Sequence, residues 1–76
     1  MKIVLESAEA VAAFSVALAG MGYKEHLDGI GEYEGEWCVL LATGNTIPFE
    51  VIQGITNAVK KKPWEQWNKP EEKKEG

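Results

Sequence analysis

Arginine is absent from this 76-residue sequence, and all eight of its lysine or arginine positions are lysine. Arginine is the usual residue for recognising phosphates and base edges, because its planar guanidinium donates two parallel hydrogen bonds. The net charge of −4 also disfavours contact with polyanions. The sequence therefore argues against direct binding of nucleic acid.

Cysteine and histidine each occur once, as Cys38 and His26. A single thiol cannot form an intramolecular disulfide, and Cys38 lies in an apolar run, where cysteine behaves as a small hydrophobic residue. His26 has no sequence partner at the spacing of a metal site or a catalytic pair, and the acidic residues follow no calcium-loop pattern. We therefore expect no enzymatic activity, no metal and no cofactor.

Long hydrophobic runs are also absent, since no segment reaches the roughly 18 consecutive apolar residues of a membrane span. Residues 1–5 and 17–19 resemble the start and the cleavage site of a signal peptide. Glu6 and Glu9, however, would lie inside the apolar region that such a peptide requires. We expect no membrane partner and a cytoplasmic location, which the lone cysteine fits.

Four segments have the hydrophobic periodicity of regular secondary structure. Residues 2–6 are aliphatic and short enough for a strand, and residues 8–19 repeat apolar side chains at helical spacing. Residues 37–42 are apolar on both faces, which indicates a central strand. A second helix follows, with Asn45 or Thr46 as its predicted N-cap.

The remaining segments complete a β-α-β-β-α order. Residues 23–27 are an uncertain additional strand, residues 28–31 a turn or flexible connection, and residues 34–35 a hairpin turn. We predict one α+β domain over residues 1–62, with a three- or four-stranded sheet and two helices packed on one face. Residues 63–76 are predicted to form a tryptophan-containing segment and a polar, disordered tail.

Charge is distributed unevenly between these parts. Residues 1–59 carry two lysines and eight acidic residues, a net −6, whereas residues 60–76 carry six lysines and four acidic residues, a net +2. If residues 32–36 are extended, alternating side chains share one face at a spacing of about 7 Å, close to that of phosphates along a DNA strand. Such a row could dock on a basic surface; otherwise it is a solvated edge strand that its charges keep from aggregating. The predicted partner-binding carboxylates are Asp28, Glu32, Glu34 and Glu36.

Two further surfaces are predicted to contact a partner. Trp64 and Trp67 would lie on one side of a helical turn, where they either complete the core or anchor a partner protein. The first helix has an uncharged outer face that either serves as a self-interface or reflects the high helix propensity of alanine. The residues of this predicted self-interface are Ala12, Ala13, Val16 and Ala19.

These features favour a small, acidic, non-enzymatic accessory or inhibitor protein that docks on a basic surface of a protein partner. Proteins of phages or mobile elements that block a host nucleic-acid enzyme can take this compact acidic form. The alternative is a homo-oligomeric regulatory or sequestering domain, paired through its Ala-rich helix, that binds a small ligand such as a nucleotide between subunits. Residues 28–35 and 43–46 would then contact the ligand.

Overall fold

Three strands and two helices form the regular structure of residues 1–62, which are the residues that this computed structural model describes. In chain order they are β1 (Lys2–Leu5), α1 (Ala8–Gly20), β2 (Leu27–Tyr33), β3 (Glu36–Leu41) and α2 (Phe49–Lys60). The predicted α+β class and the β-α-β-β-α order are confirmed. The tryptophan-containing segment and polar tail predicted for residues 63–76 lie outside the described residues.

The predicted central strand is β3, which pairs with both other strands in the order β1-β3-β2. Both pairings are antiparallel, and they place Cys38 between Val4 on one side and Gly31 on the other. It follows that β1 and β2 run parallel to each other with β3 inserted between them. The helix α1 connects these two parallel outer strands.

Both helices pack on one face of the sheet. Along β3, Val39 and Leu41 are buried with residues of α1 and α2 in a single hydrophobic cluster, whereas Cys38 points to the opposite face. Phe14 and Leu18 of α1 are fully buried at the centre of this cluster. The helices therefore cover one face of the sheet, and within the described residues the other face carries no helix.

The N-terminus of α1 is capped as predicted. Ser7 has an extended backbone, and its hydroxyl oxygen accepts a hydrogen bond of 3.2 Å from the backbone N–H of Ala10. This bond satisfies one of the donors that the first helical turn leaves without a partner. About two turns further on, Ser15 donates a hydrogen bond of 2.8 Å to the carbonyl of Val11 within the same helix.

The two serines give a matched test of this cap. We expect Ser7→Ala to destabilise the fold by about 1 kcal/mol, because an N-cap donor loses its acceptor. Ser15→Ala should change stability less, since the carbonyl of Val11 can also accept the helical bond and alanine is the better helix former. Urea unfolding of both variants measures the difference, and a larger loss for Ser15→Ala would contradict it.

The predicted strand at residues 23–27 is wrong, as is the turn or flexible connection at residues 28–31. Lys24–His26 form a short 3₁₀ turn, and the strand β2 runs through the glycines that suggested a loop. The register is irregular between Leu27 and Gly29, whereas Gly31 pairs regularly with Cys38. A β-bulge of this kind is a usual place for glycine within a strand.

The second helix also begins later than predicted. Pro48 precedes its first residue, no side chain caps it, and neither Asn45 nor Thr46 is the N-cap. Instead the side chain of Asn45 stabilises the preceding loop, donating to the carbonyl of Ala42 and accepting from the N–H of Ile47, each at 3.1 Å. The fixed φ of proline suits the start of a helix, which explains the later boundary.

Candidate functional site

The acidic residues surround a tight hairpin between β2 and β3. Glu34 and Gly35 form its turn, with φ angles of 56° and 83°. Positive φ at both central residues is typical of a type I′ turn, whose twist matches that of the flanking strands. The hairpin turn predicted at residues 34–35 is therefore confirmed.

This turn changes the geometry predicted for the carboxylates. Glu32 lies on β2 opposite Trp37, and Glu36 lies on β3 opposite Tyr33. Consecutive pairs along an antiparallel ladder point to opposite faces of the sheet, so these two carboxylates point away from each other. The expected single row with phosphate-like spacing does not form, because Glu34 lies in the turn rather than in an extended strand.

The carboxylates nonetheless form an exposed acidic surface, which we call the acidic hairpin. Asp28, Glu32, Glu34 and Glu36 are all exposed. Asp28 lies beside the bulge at the start of β2, and the three glutamates lie around the turn at its other end. Among residues 1–62, only Glu36 of these four makes an ion pair.

The ion pair of Glu36 joins it to Lys2, at 3.0 Å between Oε1 and Nζ. Lys2 lies opposite Leu40 in the β1–β3 register, so its side chain reaches along the sheet, past Cys38, to meet Glu36. The hydrogen bond that Lys2 donates to the Glu36 carboxylate is the main cause that holds the pKa of Lys2 above its ordinary value. Both side chains remain partly exposed, and pairs of this kind contribute little to stability.

The outer face of α1 is apolar, as predicted. Val16 is 72% exposed and Ala12 is exposed, whereas Ala13 and Ala19 are half-buried. A shallow depression of about 500 Å³ on this face is lined by Glu9, Ala12, Ala13, Val16 and Ala17. Four of the five lining residues are apolar, and Ala19 of the predicted self-interface is not among them.

A groove that the sequence did not predict lies beside β1. Its volume is about 320 Å³, and it is half-open to solvent between β1, the start of α1 and the end of α2. A salt bridge of 3.1 Å between Lys62 and Glu6 links the chain after α2 to the end of β1. The groove is lined by Val4, Leu5, Glu6, Ala10, Thr56, Val59 and Lys60. The only signal in the sequence was the aliphatic first strand.

The structure gives less information about the other residues considered in the sequence analysis. Trp64 and Trp67 lie outside the described residues, so their role stays a prediction. His26 is half-buried, and its ring lies 6.0 Å from that of Tyr23.

Within residues 1–62, no three acidic, histidine or cysteine side chains come together as a metal site would require. No helix of this part is long and apolar enough to cross a bilayer.

No protein-family model, curated protein or solved structure matches this chain.

Proposed function

We propose that the chain is a small, non-enzymatic binding protein of the cytoplasm that docks its acidic hairpin on a basic surface of a partner protein. The role fits an accessory or inhibitor protein. The observation that supports it most directly is the exposure of four carboxylates on one hairpin, of which three make no ion pair within residues 1–62. Unpaired like charges repel one another, and a cationic partner surface would relieve that repulsion.

The backbone of the hairpin supports the same role. A type I′ turn fixes the two strands relative to each other, and β3 is the central strand of the sheet. The carboxylates around the turn therefore project from a rigid support, and a partner need not order them before binding. Charge complementarity of this type mainly raises the association rate and decreases with added salt.

A matched pair of variants tests this proposal. Glu32→Gln/Glu34→Gln removes two charges from the hairpin, and Glu25→Gln/Glu50→Gln removes two exposed charges elsewhere in the chain. The immobilised full chain is incubated with cell lysate at about 0.1 M ionic strength, where the screening length is about 10 Å. We expect basic proteins captured by the wild type to bind the hairpin variant about 2-fold to 30-fold more weakly.

The control variant should retain the same proteins, because its charges lie outside the hairpin. Recovery of no specific protein by the wild type at low salt would overturn the proposal. Equal losses for both variants would show that net charge, rather than the hairpin, determines the binding.

The alternative function, a homo-oligomeric domain, is supported by the apolar outer face of α1 with Val16 at its centre. The predicted binding of a small ligand between subunits has less support. All of residues 28–35 belong to β2 and its turn, and Thr46 lies three residues before the start of α2. A measurement of the mass in solution distinguishes the two proposed functions. A stable oligomer that Val16→Glu disrupts would favour the alternative.

A further inference from the structure

The outer edge of β1 presents backbone groups that the sheet does not use. Met1 and Leu41 exchange both backbone hydrogen bonds, at 3.1 and 2.8 Å. Hydrogen-bonded pairs alternate along an antiparallel ladder, so Ile3 and Leu5 also bond to β3, and the N–H and C=O groups of Lys2 and Val4 point away from it. Within the described residues no other strand pairs with this edge. Val4 is also 53% exposed.

The opposite edge of the sheet, formed by β2, is protected against pairing with a second copy. It contains the bulge near Gly29 and carries Asp28 and Glu32 on either side of Ile30. An antiparallel pairing of two β2 strands about Ile30 would place Asp28 opposite Glu32 of the second copy. Like charges in that position are destabilising, and bulges and charges are common devices that prevent edge pairing.

The same comparison gives the opposite result for β1. If the extended backbone continues one residue beyond the end of β1 at Leu5, an antiparallel pairing of two β1 strands about Val4 places Lys2 of each copy opposite Glu6 of the other. Both resulting pairs join opposite charges, which is the stabilising arrangement across a ladder. Neighbouring registers lose this match, since a shift by two residues places Lys2 opposite Val4. The edge is therefore self-complementary in one register.

We propose that a second copy of this chain docks at the β1 edge, forming a two-fold symmetric dimer with a continuous six-stranded sheet. The two Val4 residues exchange backbone hydrogen bonds at the symmetry axis, as an isologous interface requires. Ile3 of each copy faces Leu5 of the other on the helix-covered side. The groove of about 320 Å³ beside β1 is apolar along Leu5 and Val59, and the second copy covers it.

The existing ion pairs are compatible with this arrangement. Lys2 bonds Glu36 and Glu6 bonds Lys62, and all four side chains are at least 35% exposed. An ammonium group has three donors and a carboxylate has two acceptor oxygens, so each can add a partner across the new ladder. The strand is short, with four residues, so the contact is small and the dimer should form in a concentration-dependent way.

A charge-exchange experiment tests the register. Solution mass is measured by light scattering on a sizing column, over a range of protein concentrations, for the full chain. We expect the wild type to dimerise and both Lys2→Glu and Glu6→Lys to shift the dissociation constant upward by about tenfold or more, because two attractive pairs become repulsive. An equimolar mixture of the two variants should dimerise again, since opposite charges then face each other in both pairs.

Two further variants distinguish an interface at the β1 edge from an interface on another surface of the protein. Val4→Pro removes an N–H that points away from β3, so it should abolish the dimer and leave the fold intact by circular dichroism. Val16→Glu, on the outer face of α1, should leave the dimer unchanged. A monomeric wild type at every concentration, failure of the mixture to dimerise, or loss of the dimer only in Val16→Glu would each overturn the proposal.

Discussion

Replacement of Phe14 by alanine is expected to destabilise the fold by about 3–5 kcal/mol, the usual loss for a fully buried phenylalanine. Phe14 has 0% exposure and lies in the cluster that joins α1 to Val39 of the central strand. The alanine variant loses the transfer free energy of the ring and leaves a cavity between helix and sheet. A chain of this length has a total stability of about 4–11 kcal/mol, so a large part of it depends on this one side chain.

The same substitution at Phe49 supplies the control. Phe49 begins α2 and is 67% exposed, so Phe49→Ala removes the same atoms without opening a buried cavity. We expect a change within about 0.5 kcal/mol there. Urea unfolding followed by circular dichroism compares the two variants with the wild type. Equal losses at the two positions would show that the core is not organised around Phe14.

The burial of Phe14 could be predicted because its signal is local. Apolar residues recur along α1 at the spacing of one helical face, and Ser7 marks the start of that helix. The central position of β3 could also be predicted, since a run around Val39 that is apolar on both strand faces indicates a central strand rather than an edge strand. In both cases the side chains that determine the structure are neighbours in the sequence.

The strand β2 could not be predicted in the same way. Gly29, Gly31 and Asp28 are poor strand residues, and in the sequence they resemble a turn. They form a strand because β3 supplies hydrogen-bond partners along one edge, an effect of tertiary context that local propensity does not contain. Gly31 has a φ of 137°, which a side chain would disfavour.

The candidate site illustrates a conflict between two local signals. Alternating glutamates at 32, 34 and 36 favoured an extended acidic row, while Gly35 favoured a hairpin turn. The turn forms because it lets β2 pair with β3 along a ladder that ends at Tyr33 and Glu36. The acidic residues remain exposed, but the turn determines which face of the sheet each carboxylate occupies.

The bridge between Lys2 and Glu36 has no signal in the sequence, because its partners are 34 positions apart. It crosses the face of the sheet that the helices leave open, beside the position of Cys38. Cys38 has 0% exposure although it points to this face. We attribute its burial to the neighbouring side chains of Val4 and of this bridge, rather than to the hydrophobic core.

Cys38 should therefore react with a thiol reagent at least about a thousandfold more slowly in the native protein than in the unfolded chain. A buried thiol reacts only when the structure opens, and an opening free energy of about 4 kcal/mol limits the open fraction to about one in a thousand. The rate is measured with an aromatic disulfide reagent in buffer and in denaturing urea. Similar rates in the two solutions would contradict the burial of this thiol.

Removal of the bridge tests which side chains protect Cys38. The pKa of Lys2 is raised in the folded protein. The bridge therefore stabilises the fold at pH values below the ordinary lysine pKa, and it is lost only as the pH rises through the pKa of the folded protein. It is intact near neutral pH. Lys2→Gln should then speed the reaction by about twofold to fivefold, because loss of a partly exposed ion pair makes the local opening only slightly easier. Lys24→Gln removes the same charge from an exposed residue away from this face and should have no such effect. If both variants react at the wild-type rate, the bridge does not cover the thiol, and Val4 becomes the residue to replace next.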